Sequence, residues 1–296
     1  MLHAHKIRES MQRGITWGLP KDQIEAAERF IPFMENAIDR AGKFDLGAYQ
    51  EADANVLRDT GIEQLREGIL SFPFPYSYWE YTVNTPSSPP HRMYCIAAPY
   101  LDYVGALDPR VYDNRELFDG LFVKRSVIPI EECTILVMMK KKGDGFVSMS
   151  RNTLMGTTSE GQVAIQVLNS PVAVGEISED INDDIIWWTQ QSVAIMQALL
   201  SARGVDVVKE EAPARLNKAR IAKGRTPLYD HHVVKLGGIS SGGKIVGVGM
   251  ERASPRKHWR RGHVRVLRRS EDNELKIVIP ACLINGRGFI SKEYEV

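Results

Sequence analysis

A charge boundary divides this chain. Residues 209–269 hold 16 Lys or Arg against four acids (Glu210, Glu211, Asp230 and Glu251), while the remainder holds 22 bases and 33 acids. The formal total of +1 therefore hides a segment of +12 joined to a body of −11. Two arrangements satisfy that division. Either the basic segment turns its cations outward to a phosphate-bearing or acidic partner, or it folds back on the acidic body and the charges cancel internally. The outward arrangement is our expectation, with 1–208 as an acidic α+β body and 209–296 as a basic C-terminal module.

Hydrophobic periodicity fills in that outline. With 43% hydrophobic and 25% charged residues over 296 positions, the chain is globular and long enough for one large domain or two ordinary ones. Ile24, Ala27, Phe30, Ile31, Met34 and Ile38 recur at helical spacing over 21–41, and Val56, Leu57, Ile62, Leu65 and Ile69 do so over 54–69. Pro73 and Pro75 stop any continuation. Residues 78–83 and 92–98 read as paired strands, joined by a loop over 84–91 that holds Pro86, Pro89 and Pro90. A further strand covers 133–139 and turns at Gly143-Asp144-Gly145 into 146–150; another covers 163–168. An acidic loop, 178–184, leads into an apolar helix at 185–203 with Gly204 as its stop. In the basic segment we expect a strand at 205–208, a helix at 214–223 between Pro213 and Gly224, a strand at 229–236, and a hairpin of 263–268 with 275–284. The fold class is α+β: a mixed helical and antiparallel-sheet body with a small basic α+β C-terminal module.

No run of 18 apolar residues is present, so no membrane-spanning helix is expected. The N-terminus lacks the apolar stretch of a signal peptide, which points to the cytoplasm. Cys95, Cys133 and Cys282 are widely spaced beside apolar neighbours, as core thiols of a reducing compartment would be.

The densest chemistry lies at 254–263, Ser-Pro-Arg-Lys-His-Trp-Arg-Arg-Gly-His. Just before it, Gly238 to Lys244 has part of the spacing of a phosphate loop. However, Ile245 stands where a magnesium-binding hydroxyl is needed, and the following Val246-Gly-Val-Gly-Met250 is not helical. A hinge or hairpin loop is the better reading. His258 and His263 are five apart, which puts them on different faces of either a helix or a strand. A shared metal, with His231, His232 or Cys282 as third ligand, is therefore not expected, and neither is a cofactor. If the chain were a ribonuclease, His258 or His263 would be the general base and Arg256, Arg260 or Arg261 the phosphorane stabiliser. In a purely structural alternative, Trp259 anchors the segment while the arginines brace the acidic body. Our expectation is binding without catalysis. Arg256, Lys257, His258, Arg260, Arg261 and His263, with Arg220, Lys223 and Arg225, make polar contacts to RNA, and Trp259 packs or stacks. Trp187-Trp188 reads as core, and with Tyr76, Tyr78 and Trp79 as the aromatic content from which a peptide groove would be lined.

The stretch Pro255-Arg-Lys-His-Trp-Arg-Arg-Gly-His263, followed by a basic strand, a turn and Val278-Ile-Pro-Ala-Cys-Leu-Ile-Asn285, resembles the C-terminal signature of a phage and mobile-element family. The best-known member of that family is a type V anti-CRISPR protein that lowers production of the CRISPR effector nuclease. Residues 216–229 also resemble phage proteins that carry this signature, so the likeness covers about 80 residues, all in the C-terminal third. The resemblance implies evasion of host defence during translation: recognition of a nascent N-terminal peptide of the target effector, contact with RNA or the ribosome, and destruction of the message. His258, Arg260, Arg261, Gly262 and His263 match the His-x-Arg-Arg-Gly-His motif, and Asn285 matches the Asn of the last strand.

Overall fold

Three neighbouring strands carry apolar side chains on both faces, and this dictates a layered architecture in which helices cover both sides of a sheet. A computed structural model describes residues 2–12, 21–86, 88–107, 121–123, 126–128, 132–142, 145–148, 151–158, 160–169, 180–203, 205–236, 258–270 and 273–284. In chain order the elements are α1 (Ala4–Gln12), α2 (Lys21–Arg40), β1 (Gly42–Gln50), α3 (Glu51–Arg66), β2 (Ser77–Thr85), β3 (Ser88–Pro99), α4 (Tyr100–Leu107), β4 (Leu121–Val123), β5 (Ser126–Ile128), β6 (Thr134–Lys142), β7 (Gly145–Ser148), β8 (Arg151–Thr157) and β9 (Val163–Asn169). Then come α5 (Asp180–Leu200), β10 (Val205–Glu210), α6 (Ala214–Ile221), β11 (His231–Leu236), β12 (His258–Arg260), β13 (His263–Ser270), β14 (Asn273–Ile279) and β15 (Cys282–Ile284).

The large sheet runs β10-β11-β1-β2-β3-β6-β8-β9, with β7 also on β6. Strand β1 is parallel to both its neighbours, β2 and β11, and the other pairs are antiparallel. Period-two alternation sorts the side chains. Tyr78, Tyr94, Ile96, Ile135, Val137 and Met139 join α1, α2 and α4 in one core, and Trp79, Cys95, Ala97, Leu136 and Met138 join α3 and α5 in the other. The body is thus α+β with both sheet faces covered, and Cys95 and Cys133 are buried thiols within it. No helix among the described residues is long and apolar enough to cross a membrane.

Several expectations shift by physical causes that the structure makes plain. The supposed loop at 84–91 is mostly strand, because β3 extends back to Ser88 and pairs Val83 with His91 and Thr85 with Ser88. Its prolines are tolerated there: β6 reaches only Tyr94 to Pro99 of β3, so the overhang pairs on one side alone. The acidic loop before α5 is partly helix, which begins at Asp180. The chain from 209 to 236, grouped by charge with the basic segment, contributes the end of β10 and all of β11 to the large sheet. What stands apart is a smaller unit, 258–284. There the expected second hairpin strand splits: β14 pairs with β13, and β15 pairs with β12. The glycine loop at 237–244 lies outside the described residues.

Where α3 crosses α5, Gly61 is pressed on the backbone at Ala194, so a β-carbon there would run into the Ala194 carbonyl. Gly61→Ala is expected to cost about 2–3 kcal/mol through overpacking, measured as a lowered midpoint of urea unfolding with unchanged slope.

Candidate functional site

The signature is bound to the body by one stripe of α3. Residues 60, 63 and 67 stand at helical spacings of three and four, so their side chains share a face. Thr60 Oγ1 accepts the buried Gly262 N–H at 3.1 Å, and Glu63 accepts the Val264 N–H at 3.0 Å and Arg261 Nη2 at 2.9 Å. Lys276 Nζ donates to the Glu67 carbonyl at 2.9 Å and pairs with its carboxylate at 3.4 Å. Glycine is required at 262, since a β-carbon would lie within 2.6 Å of both Ile279 O and Ala281 N. Beside it Trp259 is 7% exposed and packs with Ala281 in the α3/α5 core, while Arg203 N–H donates to Ala281 O at 2.8 Å.

Strand alternation then decides which cations face outward. Trp259 points in and Arg260 points out; His263 and Arg265, two apart on β13, are both exposed, and Arg261 is exposed while paired with Glu63. His258 lies on β12 opposite Ile284. Arg256, Lys257, Asn285 and the side chain of His258 lie outside the described residues. Among the described residues there is no group of three or more His, Cys, Asp or Glu placed to hold a metal.

The second set of cations sits elsewhere. Helix α6 has no buried residue; Arg215, Lys218, Lys223 and Arg225 are exposed on it and the turn that follows. Arg220 is not free for a partner: it donates to Glu9 of α1 at 2.6 Å and to Thr226 O at 2.8 Å. Tyr229 OH donates to Asp39 of α2 at 2.5 Å. The α6 group is thus tied to α1 and α2 and the signature to α3, which cover opposite faces of the sheet. Charge cancellation within the chain is real at Arg220, Arg261, Lys276 and Lys209, the last paired with Asp230 at 3.3 Å.

The aromatic groove is corrected. Tyr76, Tyr78 and Trp79 are core residues, with Trp79 Nε1 donating to Ser192 Oγ at 2.9 Å. Trp187, read as core, is 48% exposed and meets Trp188 edge-on at 4.8 Å.

Sequence reading missed a buried ionic cluster on the other face. Glu80, fully buried on β2, accepts the His3 N–H at 2.8 Å, Tyr78 OH at 2.5 Å and the Arg92 guanidinium, with His3 Nδ1 at 3.2 Å. The signal was present: Glu80 interrupts Tyr78-Trp79-Glu80-Tyr81 on the Tyr78 face, opposite Tyr94 and beside the Arg92 position of β3. Burial pushes the carboxyl up, but the His3 hydrogen bond and the Arg92 charge outweigh it and hold the group at about 2. Burial also pushes the Tyr78 hydroxyl up. Nearby, burial and the Arg220 charge lower His5 to about 4, and burial lowers Lys43 to about 8, its Nζ donating to Ala41 O at 2.9 Å beneath the Tyr229 ring. With its donors in place, Glu80 works as a clamp on the N-terminal segment, not as an acid or base.

Comparisons with protein-family models, curated proteins and solved structures give no match to this chain.

Two outcomes are expected. Thr60→Val leaves the buried Gly262 N–H unpaired and should cost about 1–3 kcal/mol, with faster hydrogen exchange at Gly262 and Val264. Glu80 is depressed when folded, so its stabilisation is complete above its ordinary value of 4.5 and is lost as pH falls toward about 2. His5 adds a loss that begins at 6.5. Glu80→Gln should be less stable at neutral pH and show a shallower fall below 4.5, a difference that isolates the carboxylate from His5.

Proposed function

We propose that this chain is a phage or mobile-element inhibitor of host defence that binds RNA or the ribosome together with a nascent peptide, and so lowers expression of a defence effector in the host cytoplasm. The likeness of 255–263 and 216–229 to the signature family supports the reading. The single observation that carries it is the display of Arg260, His263 and Arg265 on strands whose backbone is pinned to α3. Cations on a fixed frame lose less freedom on meeting phosphate than cations on a loose tail. Trp259, being buried, holds the display in place instead of stacking on a base. The chain is read as a binder; the signature histidines are given no catalytic step.

Binding of purified protein to single-stranded RNA, and its co-sedimentation with ribosomes, should weaken steeply with salt. Arg260→Ala with Arg265→Ala should reduce the slope of log affinity against log salt by about 1.4, or ~0.7 for each phosphate left without its cation. Salt-independent affinity or none overturns the reading, and RNA recovered in cut form overturns the assignment as a binder.

A further inference from the structure

Strand pairing carries one further residue to the outer face of the signature. Arg203, just past α5, forms an isolated parallel bridge with Cys282 of β15, and its N–H donates to Ala281 O at 2.8 Å. Cys282 is in turn the antiparallel partner of Arg260 on β12. Arg203, Cys282 and Arg260 therefore stand in one row across three neighbouring backbones, and residues paired in this way point to the same side. The burial of their neighbours agrees: Ala202, Trp259 and Ala281 lie in the α3/α5 core, while Arg203 and Arg260 are exposed.

Two properties suit this row to an anion. The first is unspent charge. Arg8, Arg40, Arg58, Arg92, Arg220 and Arg261 each meet a carboxylate, whereas among the described residues Arg203 and Arg260 meet none. The second is spacing. Paired backbones lie about 4.8 Å apart, so the two arginine Cα atoms are about 10 Å apart with only the short Cys282 side chain between them. From that separation two guanidinium groups can close on one phosphate, each presenting paired N–H donors to its oxygens. The backbone of both arginines is already held by strand pairing, so less freedom is lost when they close.

We propose that Arg203 and Arg260 form a two-cation site for a phosphodiester group of single-stranded RNA, seated over Cys282 where the body meets the C-terminal strands. The site rests on the reading of the chain as an RNA binder and adds to it a contact from outside the basic segment. Arg203 precedes residue 209, so charge segregation gives no reason to single it out; the pairing of β15 does.

Cys282 reports on the site directly. Cys95 and Cys133 are buried, and Cys282 is the one partly exposed thiol of the three. N-ethylmaleimide, an uncharged reagent, is added to the full chain with and without a short oligouridine, and modification of Cys282 is followed by mass spectrometry. Its rate should fall in proportion to the fraction of protein bound and recover in high salt. Arg203→Gln should weaken the oligouridine about tenfold and reduce the slope of log affinity against log salt by about 0.7. Arg203→Lys keeps the charge and should keep the slope. Protection of Cys282 in the unaltered protein needs no variant, so it tests the site even if a substitution unfolds the chain. Oligouridine binding that leaves Cys282 unprotected, or that survives Arg203→Gln unchanged, overturns this site while the wider reading stands. No binding at all overturns both. Equal protection by polyglutamate overturns the assignment to phosphate.

Discussion

The parallel unit β1–α3–β2 lays helix α3 between the sheet, helix α5 and the C-terminal strands, and its contacts divide between two stripes of the helix. Leu57 and Leu65 are buried in the core on the α5 side of the sheet. Gly61 lets the α5 backbone approach at Ala194. Thr60, Glu63 and Glu67 receive Gly262, Val264, Arg261 and Lys276. A helix so surrounded cannot rotate by one residue without breaking both sets, since each step turns it about 100°. The position of the signature is therefore inherited from the packing of α3 and not from the short strands themselves.

That dependence explains which parts of the chain were legible in sequence. The spacing of Phe30, Met34 and Ile38 reported α2 within a residue or two, and the apolar run 133–139 reported β6, because each element repeats one environment along its length. Strand β1 escaped notice: Lys43 and Asp45 break the apolar pattern, and they are accommodated through Ala41 O and the Tyr229 ring for Lys43 and the Gly47 turn for Asp45. The stripe of α3 that holds the signature was hidden for a similar reason. Thr60, Glu63 and Glu67 look like an ordinary solvated face until a second chain segment, some 200 residues away, presents its backbone donors. Composition cannot report a contact whose partner is that remote.

Charge segregation along the chain is only partly cancelled within the fold. Arg220 and Arg261 meet Glu9 and Glu63, so part of the basic excess is consumed in fastening late elements to the acidic body, and Lys276 beyond it does the same at Glu67. Such pairs, at or near the surface, contribute little stability each; their value is positional, since they accompany main-chain bonds already made by Thr60 and Glu63. The cations left facing outward, Arg260 and Arg265 among them, are then held at set positions. Internal pairing and outward exposure of cations, which had looked like alternatives, thus occur side by side in this chain.

Two buried polar clusters hold separate parts of the fold together in different ways. Around Glu80, every group converges on the carboxylate: a backbone amide, a hydroxyl and a guanidinium, with the His3 ring beside them. An acceptor so surrounded gains nothing from a further donor, and opening it would strand several groups together. Around Gln64 and Gln197 the bonds run in one direction, from Ser71 N–H to Gln197 to Gln64, and stop at a nitrogen with hydrogens still to give. The first arrangement gathers its donors on one acceptor, and the second passes along a chain that ends on a donor. The first stabilises what it ties together, here the N-terminal segment to β2. The second joins α3, α5 and the 69–71 segment through amide groups alone, so it holds them by direction and not by charge.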